Sequence, residues 1–289
     1  MQLVFHTLQT LSKMIHCRRI ILSIVATAVL ICGSSLPLKA ETSWTTIAKG
    51  LALTEIPVDR NGLSSSVITA LRISPSEFEF ILLMRSKEGD AFTPEQWAAR
   101  YNLTALINAS MYLPDNSKST GYMRDKKHVN NGFIHHSFGS FFVANPRKAN
   151  IPVVDIIDRH QQQHNTLLPN YTTVIQNYRL FSAARTPLWP KKAKETSIAA
   201  VAKDTSGNIV FIHCRTPMTV RNFTNRLLES HLQLVTAMYV EGGPEASMYL
   251  KTSDISRTWA GRYIGDFWNT ESKQWILPNV LGIRAKAHP

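Results

Sequence analysis

Two carboxylates, Glu241 and Glu245, flank Gly242, Gly243 and Pro244 in the stretch "AMYVEGGPEASMYL", residues 237–250. The apolar run before Glu241 reads as a buried strand, and a strand that ends in Gly-Gly lets the backbone turn sharply while a ligand approaches without side-chain interference. A carboxylate held at such an edge suits catalysis or ligand orientation. Taken alone, the stretch is more often a turn whose glutamates are solvated. A second strand end favours the functional reading: "ALINASMYLPD" runs into Asn108, Ala109 and Ser110 before a long loop. Two polar strand ends of this kind can face one pocket.

Other constellations do not assemble. His128, His135 and His136 lack a carboxylate or thiol at ligand spacing, and Asp115, Asn116 and Asp125 lack the regular spacing of a calcium loop. No metal and no cofactor are expected. His213 and Cys214 are strand neighbours, whose side chains point to opposite faces, so they do not form a nucleophile–base pair. Neither a Gly-x-Ser-x-Gly elbow nor a phosphate-binding loop is present. The formal charge of +12 suggests an anionic partner, but no recognisable module accompanies it, so nucleic acid is not expected.

The elements that position these residues begin after a leader. Residues 1–40 run from basic (Lys13, Arg18, Arg19) through the apolar "IILSIVATAVLIC" to a small-residue exit, the order of a secretory signal with cleavage expected after Ala40. An uncleaved anchor is the alternative, and it would be the protein's sole membrane attachment. Gly33, two serines and Pro37 cut the apolar run short of the roughly 20 residues a span needs. A periplasmic or secreted location follows from this expectation. Removal of the leader takes Lys13, Arg18, Arg19 and Lys39 and no acid, so +12 falls to +8, and it leaves Cys214 without a disulfide partner.

Residues 41–289 read as one domain. Strands are expected at 51–59, 65–74, 78–86, 103–110, 138–146 and 153–160, and a helix at "TPEQWAARYN", capped by Thr93 with Pro94 in its first turn. Residues 112–132 are expected to form a long loop or hairpin. "SIAAVAKDTSGNIVFIHC" is the clearest hairpin, with its turn at Asp204 to Asn208. Val220, Phe223, Leu227, Leu228 and Leu232 then recur at helical spacing behind Thr219. Strands close the chain at 235–243 and 275–285, while 160–195 shows no clear pattern. Many strands with few helices, in no regular alternation, point to an α+β fold with a mixed, largely antiparallel sheet and a few packing helices.

The order "LINASMYLPD", "STGYMRDKKHVNN", "FGSFFVANP", "QNYRLFS", "TSIAAVAKDTSGNIVFIHC", then the amphipathic helix and "AMYVEGGPEASMYL", resembles the phosphodiester glycosidase family across about residues 66–285. Asn108, Ala109, Ser110, Met111 and Tyr112 fill that family's Asn-(Gly/Ala)-Gly-(Phe/Met)-(Phe/Tyr) element, with Ser110 in place of glycine. Val240, Glu241, Gly242, Gly243, Pro244, Glu245 and Ala246 stand where the family has Leu-Asp-Gly-Gly-Gly-Ser-Ser. The acid is kept with one more methylene, and the paired serines are replaced.

The resemblance implies a hydrolase that cleaves a sugar-1-phosphodiester at the glycosidic bond in an envelope or extracellular glycan. A phosphomonoester leaves more readily than an alcohol, so one carboxylate, as base or oxocarbenium stabiliser, would serve if cations or N–H groups hold the phosphate. Glu241 is the expected catalytic carboxylate and Glu245 a second, with Asn108 orienting the sugar or the attacking water. Gly242, Gly243, Ser247 and Tyr112 are expected to line the substrate, and Arg124 and Arg179 to clamp phosphate, arginine being the better planar clamp. Lys126, Lys127, His128 and Arg185 are further cations in the same segments. The competing expectation is a non-catalytic envelope protein that binds an anionic glycan or phosphate polymer on its basic surface.

Overall fold

Runs of β-branched and aromatic residues cut by short polar turns make strands of most of the chain. The computed structural model describes residues 43–58, 66–230, 232–263 and 273–287. The expected leader at 1–40 lies outside them. Among the described residues the strands are β1 (Thr45–Ala48), β2 (Leu51–Pro57), β3 (Val67–Ile73), β4 (Phe78–Met84), β5 (Ala105–Asn108), β6 (Met123–Asp125), β7 (His128–Asn131) and β8 (Ser140–Pro146). They continue with β9 (Val154–Asp158), β10 (Tyr171–Arg179), β11 (Thr196–Asp204), β12 (Ile209–Met218), β13 (Leu234–Gly242), β14 (Ser247–Lys251), β15 (Ser256–Ala260) and β16 (Asn279–Ala285). The helices are α1 (Arg85–Glu88), α2 (Pro94–Tyr101), α3 (His164–Leu167) and α4 (Val220–Glu229).

Two sheets result. The larger runs β1-β2-β3-β12-β11-β13-β10-β6-β7, with β8 and β9 added alongside β10, and the smaller runs β15-β14-β5-β16-β4. Leu71, Phe142, Val201, Phe211 and Val240 from the first sheet and Phe80, Ile107, Met248 and Leu281 from the second share one buried core. Phe80 and Phe142 meet across it with ring centroids 5.7 Å apart. On the far face of the large sheet, Val220, Phe223 and Leu227 of α4 pack on Ile198, Ala200 and Ile212. On the far face of the small sheet, Trp97 of α2 packs with Leu106, Tyr249 and Val280. Two sheets therefore form the middle of a four-layer arrangement with a helix outside each.

Helix caps and hairpin turns form as the residues predict. Thr93 and Gln96 make a reciprocal capping box at the start of α2, and Thr219 Oγ1 accepts the Asn222 N–H at 3.2 Å at the start of α4. In the β11–β12 turn, Asp204 Oδ1 accepts the N–H groups of Ser206 and Asn208, and Gly207 takes φ +83. The expected loop at 112–132 closes into the hairpin β6–β7, whose turn places Lys126 at φ +54.

Two expectations change. Among the described residues every pairing between named strands is antiparallel, so the expected sheet is antiparallel throughout rather than mixed, and the α+β fold with few helices is mostly β. Hairpins join β1–β2, β6–β7 and β11–β12 directly, whereas parallel strands need long crossovers, usually helical. The unpatterned stretch 160–195 contains β10, a nine-residue strand that pairs with β13, β6 and β8. It reads as polar because Thr173, Gln176 and Asn177 are fully buried in it.

Candidate active site

β13 belongs to the large sheet and β14 to the small one, so residues 243–246 carry the chain from one sheet to the other. Pro244 and Glu245 sit in a single 3-10 turn there. Gly243 has φ +78, a conformation side chains disfavour. Gly242 has ordinary dihedrals but no space, since a Cβ there would lie 1.9 Å from Tyr239 Oη.

This crossover is pinned from both sheets. Asn108 Nδ2 donates to the Glu245 carbonyl at 3.1 Å, and Asn108 Oδ1 accepts the Ser247 N–H at 2.6 Å. The Ser247 hydroxyl donates to the same Glu245 carbonyl at 2.9 Å. Ala246 O accepts from Gly261 N–H at 2.7 Å and from His213 Nε2 at 3.0 Å. A carbonyl only accepts, so Nε2 carries the hydrogen of a neutral ring. Burial pushes the His213 pKa down to about 4, and nearby Arg215 and Arg257 push the same way, against the bond to Ala246.

A bulge directs Glu241. Ala200 pairs with Tyr239 and Ala199 with Glu241, so Val240 and Glu241 together oppose one residue of β11. Such an insertion interrupts strict alternation and re-aims a side chain. Tyr239 packs with the α4 side of the sheet, while Val240 and Ala199 belong to the core between sheets. Glu241 is only 9% exposed. Burial pushes the Glu241 pKa up to about 8, and the charge of Glu245 adds to that, while the Gly242 N–H, donating to Oε1 at 2.8 Å, opposes it. At neutral pH Glu241 therefore holds a proton.

Tyr112, just beyond β5, completes the group. Its phenol is pushed up to about 12, first by burial and then by the charges of Glu245, Glu241 and Tyr263. Tyr239 is raised as well, by burial and then by Glu241. Tyr112 and Glu245 also line a cleft of about 580 Å³, closed by Arg85, Asn116, Lys273, Trp275, Ile276 and Pro278. One carboxyl that holds a proton beside a second that borders an open cleft is the arrangement that lets one group donate while the other carries charge.

The structure thus gathers Glu241, Gly242, Gly243, Glu245 and Tyr112, and gives other expected residues different parts. Asn108 is 1% exposed with both amide atoms bonded to the crossover, so it positions Glu245 rather than presenting itself to a sugar or water. Ser247 is fully buried in the same network. Arg124 donates to the carbonyl of Tyr171 at 2.8 Å, at the start of β10, and so caps backbone instead of clamping phosphate. Arg179 is paired with Asp158 at 2.7 Å, both partners mostly buried, and packs over Gly139. Arg185 donates to the Leu234 carbonyl, and His128 bonds Ser86.

Sequence reasoning missed His213, Tyr239 and Asn177 as supports. Asn177 Nδ2 donates to the Ala109 carbonyl at 2.9 Å and ties β10 to the end of β5, and Gln176 beside it bonds Tyr122, His135 and Phe138. The signal was two adjacent amides inside "QNYRLFS", a segment read for its place in the motif order and for Arg179. Cys214 is buried, its thiol pushed up to about 12 by that burial, and it is inert. Among the described residues no three His, Cys, Asp or Glu side chains come together to hold a metal ion, and no helix is long and apolar enough to cross a membrane.

Comparison with known proteins follows the same outline. A family model described as phosphodiester glycosidase matches residues 101–284. Among solved structures, the catalytic domain of zebrafish N-acetylglucosamine-1-phosphodiester alpha-N-acetylglucosaminidase, auto-inhibited by its pro-peptide, is similar with a TM-score of 0.60 and 11% identity. The likeness covers 85% of this chain and 87% of that one. A hypothetical protein from Synechocystis is similar with a TM-score of 0.57 and 12% identity, over 85% of this chain and 64% of that one. At such identities the likeness is one of fold. No curated protein matches the chain in sequence.

Proposed function

The chain belongs to the phosphodiester glycosidase family, and from that premise we propose that it is an exported hydrolase that cleaves a glycosyl phosphodiester in an envelope or extracellular glycan. The carrying observation is the unequal pair: Glu241 buried, with burial pushing its carboxyl up to about 8, and Glu245, four residues on, on the wall of an open cleft. The burial of Glu241 exchanges the roles that the sequence suggested. Glu241 donates its proton to the departing ester oxygen, and the charge of Glu245 stabilises the oxocarbenium-like carbon and then takes a proton from the attacking water.

The balance is that of a hydrolysis. The bond between the anomeric carbon and the ester oxygen breaks, its electron pair leaves with the phosphomonoester, and water oxygen bonds the carbon. A protonated Glu241 also spares the phosphodiester anion the repulsion that two ionised carboxylates would exert. The Tyr112 phenol, held protonated, supplies a further donor beside the two acids. Export by the leader at 1–40, with residues 41–289 as the mature domain, is part of the same proposal.

The test is turnover by the purified protein of sugar-1-phosphodiesters beside aryl glycosides of the same sugars. Cleavage of the phosphodiesters, strongly preferred over the aryl glycosides, is expected. Absence of turnover of both, with anionic glycan still bound, would establish the non-catalytic binding protein instead.

A further inference from the structure

A phosphodiester needs cations, and the two arginines expected from the sequence are engaged elsewhere, Arg124 with a backbone carbonyl and Arg179 with Asp158. The cleft that Glu245 and Tyr112 border has its own. Arg85, at the start of α1, lines it with an exposed side chain, of which Nη1 makes one long contact, 3.4 Å, to the Asn116 carbonyl. Lys273 lines it too, with Nζ 4.8 Å from the centre of the Trp275 ring. Trp275 is half-buried and braced edge-on by Tyr263 at 6.1 Å.

The walls are fixed. The Arg85 N–H donates to the Pro278 carbonyl at 2.7 Å, Leu277 N–H donates to Phe92 O at 2.9 Å, and Trp97 Nε1 donates to Leu277 O at 2.9 Å. The segment that carries Trp275 is thus tied to α1, α2 and the strip between them. The Trp275 ring walls the cleft with Lys273 Nζ over it, and Arg85 lines the same cleft; an aromatic wall with two cations suits a phosphorylated group, since phosphate takes charge-assisted bonds.

We propose that this cleft is the leaving-group subsite, in which Arg85 and Lys273 hold the phosphate of a sugar-phosphate ester and Trp275 carries the body of the phosphorylated group. The proposal deepens the glycosidase reading and rests on it for the identity of the leaving group. Cleavage between the sugar and its ester oxygen leaves the phosphate on the aglycone side, so the product retained in this cleft is a phosphomonoester. Glu245 lines the same cleft as the two cations.

Binding tests the cleft separately from chemistry. Calorimetry on the full chain would compare glucose 6-phosphate with glucose, using the wild type, Arg85→Ala/Lys273→Ala, Trp275→Ala and, as a control for lost charge, the exposed Arg226→Ala on α4. Circular dichroism would establish that each variant is folded. Glucose 6-phosphate should bind the wild type and Arg226→Ala alike. Binding should weaken about tenfold or more in the double variant, the loss of charge-assisted bonds to phosphate, and also weaken in Trp275→Ala. No binding to the wild type, or equal binding to the double variant, overturns the subsite. If the double variant binds as the wild type does while sugar-1-phosphodiesters are still turned over, the glycosidase reading stands and only the subsite fails. If binding follows the cations but nothing is turned over, the subsite stands and the glycosidase reading fails.

Discussion

Asn108 Nδ2 donates to the backbone carbonyl of Glu245 at 3.1 Å, joining residues 137 positions apart and fixing the turn on which the second carboxylate stands. Its Oδ1 takes the Ser247 N–H in the same grip. Asn108→Ala would leave a buried N–H without its acceptor and remove one of two donors to the Glu245 carbonyl, a cost of about 2 kcal/mol. Chemical denaturation of wild type and variant checks this. Catalysis should fall further than stability alone explains, because Glu245 loses its placement, and a variant with normal stability and turnover would remove Asn108 from the positioning network.

Stability should vary with pH in two separate windows. Glu241 has a folded pKa of about 8 against an ordinary 4.5, so the unfolded chain releases a proton that the fold retains. The stability it contributes is fully present below pH 4.5 and is lost as pH rises through about 8. His213 behaves oppositely: its folded pKa of about 4 lies below 6.5, so its contribution is present above 6.5 and lost as pH falls through about 4. Melting temperatures of Glu241→Gln and His213→Gln across pH 4–9 check both signs. The first variant should lose the alkaline decline and the second the acidic one.

Gly242 and Tyr239 should show coupled energetics. Gly242→Ala puts a methyl 1.9 Å from Tyr239 Oη, with Thr196 Oγ1 at 3.2 Å, and overpacking of this kind costs about 1–3 kcal/mol. Tyr239→Phe removes the nearest atom, so the double variant should recover part of the loss even though the ring carbon stays at 3.1 Å. A double-mutant cycle measures the coupling. Strict additivity would mean that the turn relaxes away from Tyr239.

Arg124→Ala should lower stability and leave KM unchanged. The guanidinium holds the Tyr171 carbonyl, so its loss acts on the start of β10 and not on bound phosphate. Steady-state kinetics beside a melting curve separate the two effects. A raised KM at unchanged stability would return Arg124 to the substrate.

Much of this was legible in the residues. Thr93 and Gln96 announce the start of α2, Asp204 to Asn208 the turn of the clearest hairpin, and Glu241 with its glycines the turn at the site. β10 was hidden because a buried strand carries Thr173, Gln176 and Asn177, whose partners lie far off in sequence; Asn177, for example, bonds the Ala109 carbonyl 68 positions away. The roles of Arg124 and Arg179 were hidden for a related reason. A cation's type suggests an anion, but only the fold reveals that Asp158 stands 2.7 Å from Arg179. The order of the two carboxylates turned on burial, and the one-residue bulge opposite Ala199 that directs Glu241 inward leaves no mark in the sequence.

The most direct measurement is the pH dependence of kcat/KM on a sugar-1-phosphodiester, in the wild type and in Glu241→Gln. A protonated Glu241 predicts activity that falls as pH rises through about 8. In Glu241→Gln activity should drop on the order of 10²-fold and the alkaline limb should vanish. Full activity in Glu241→Gln, with the limb at about 8 unchanged, would contradict a catalytic role for the buried carboxyl.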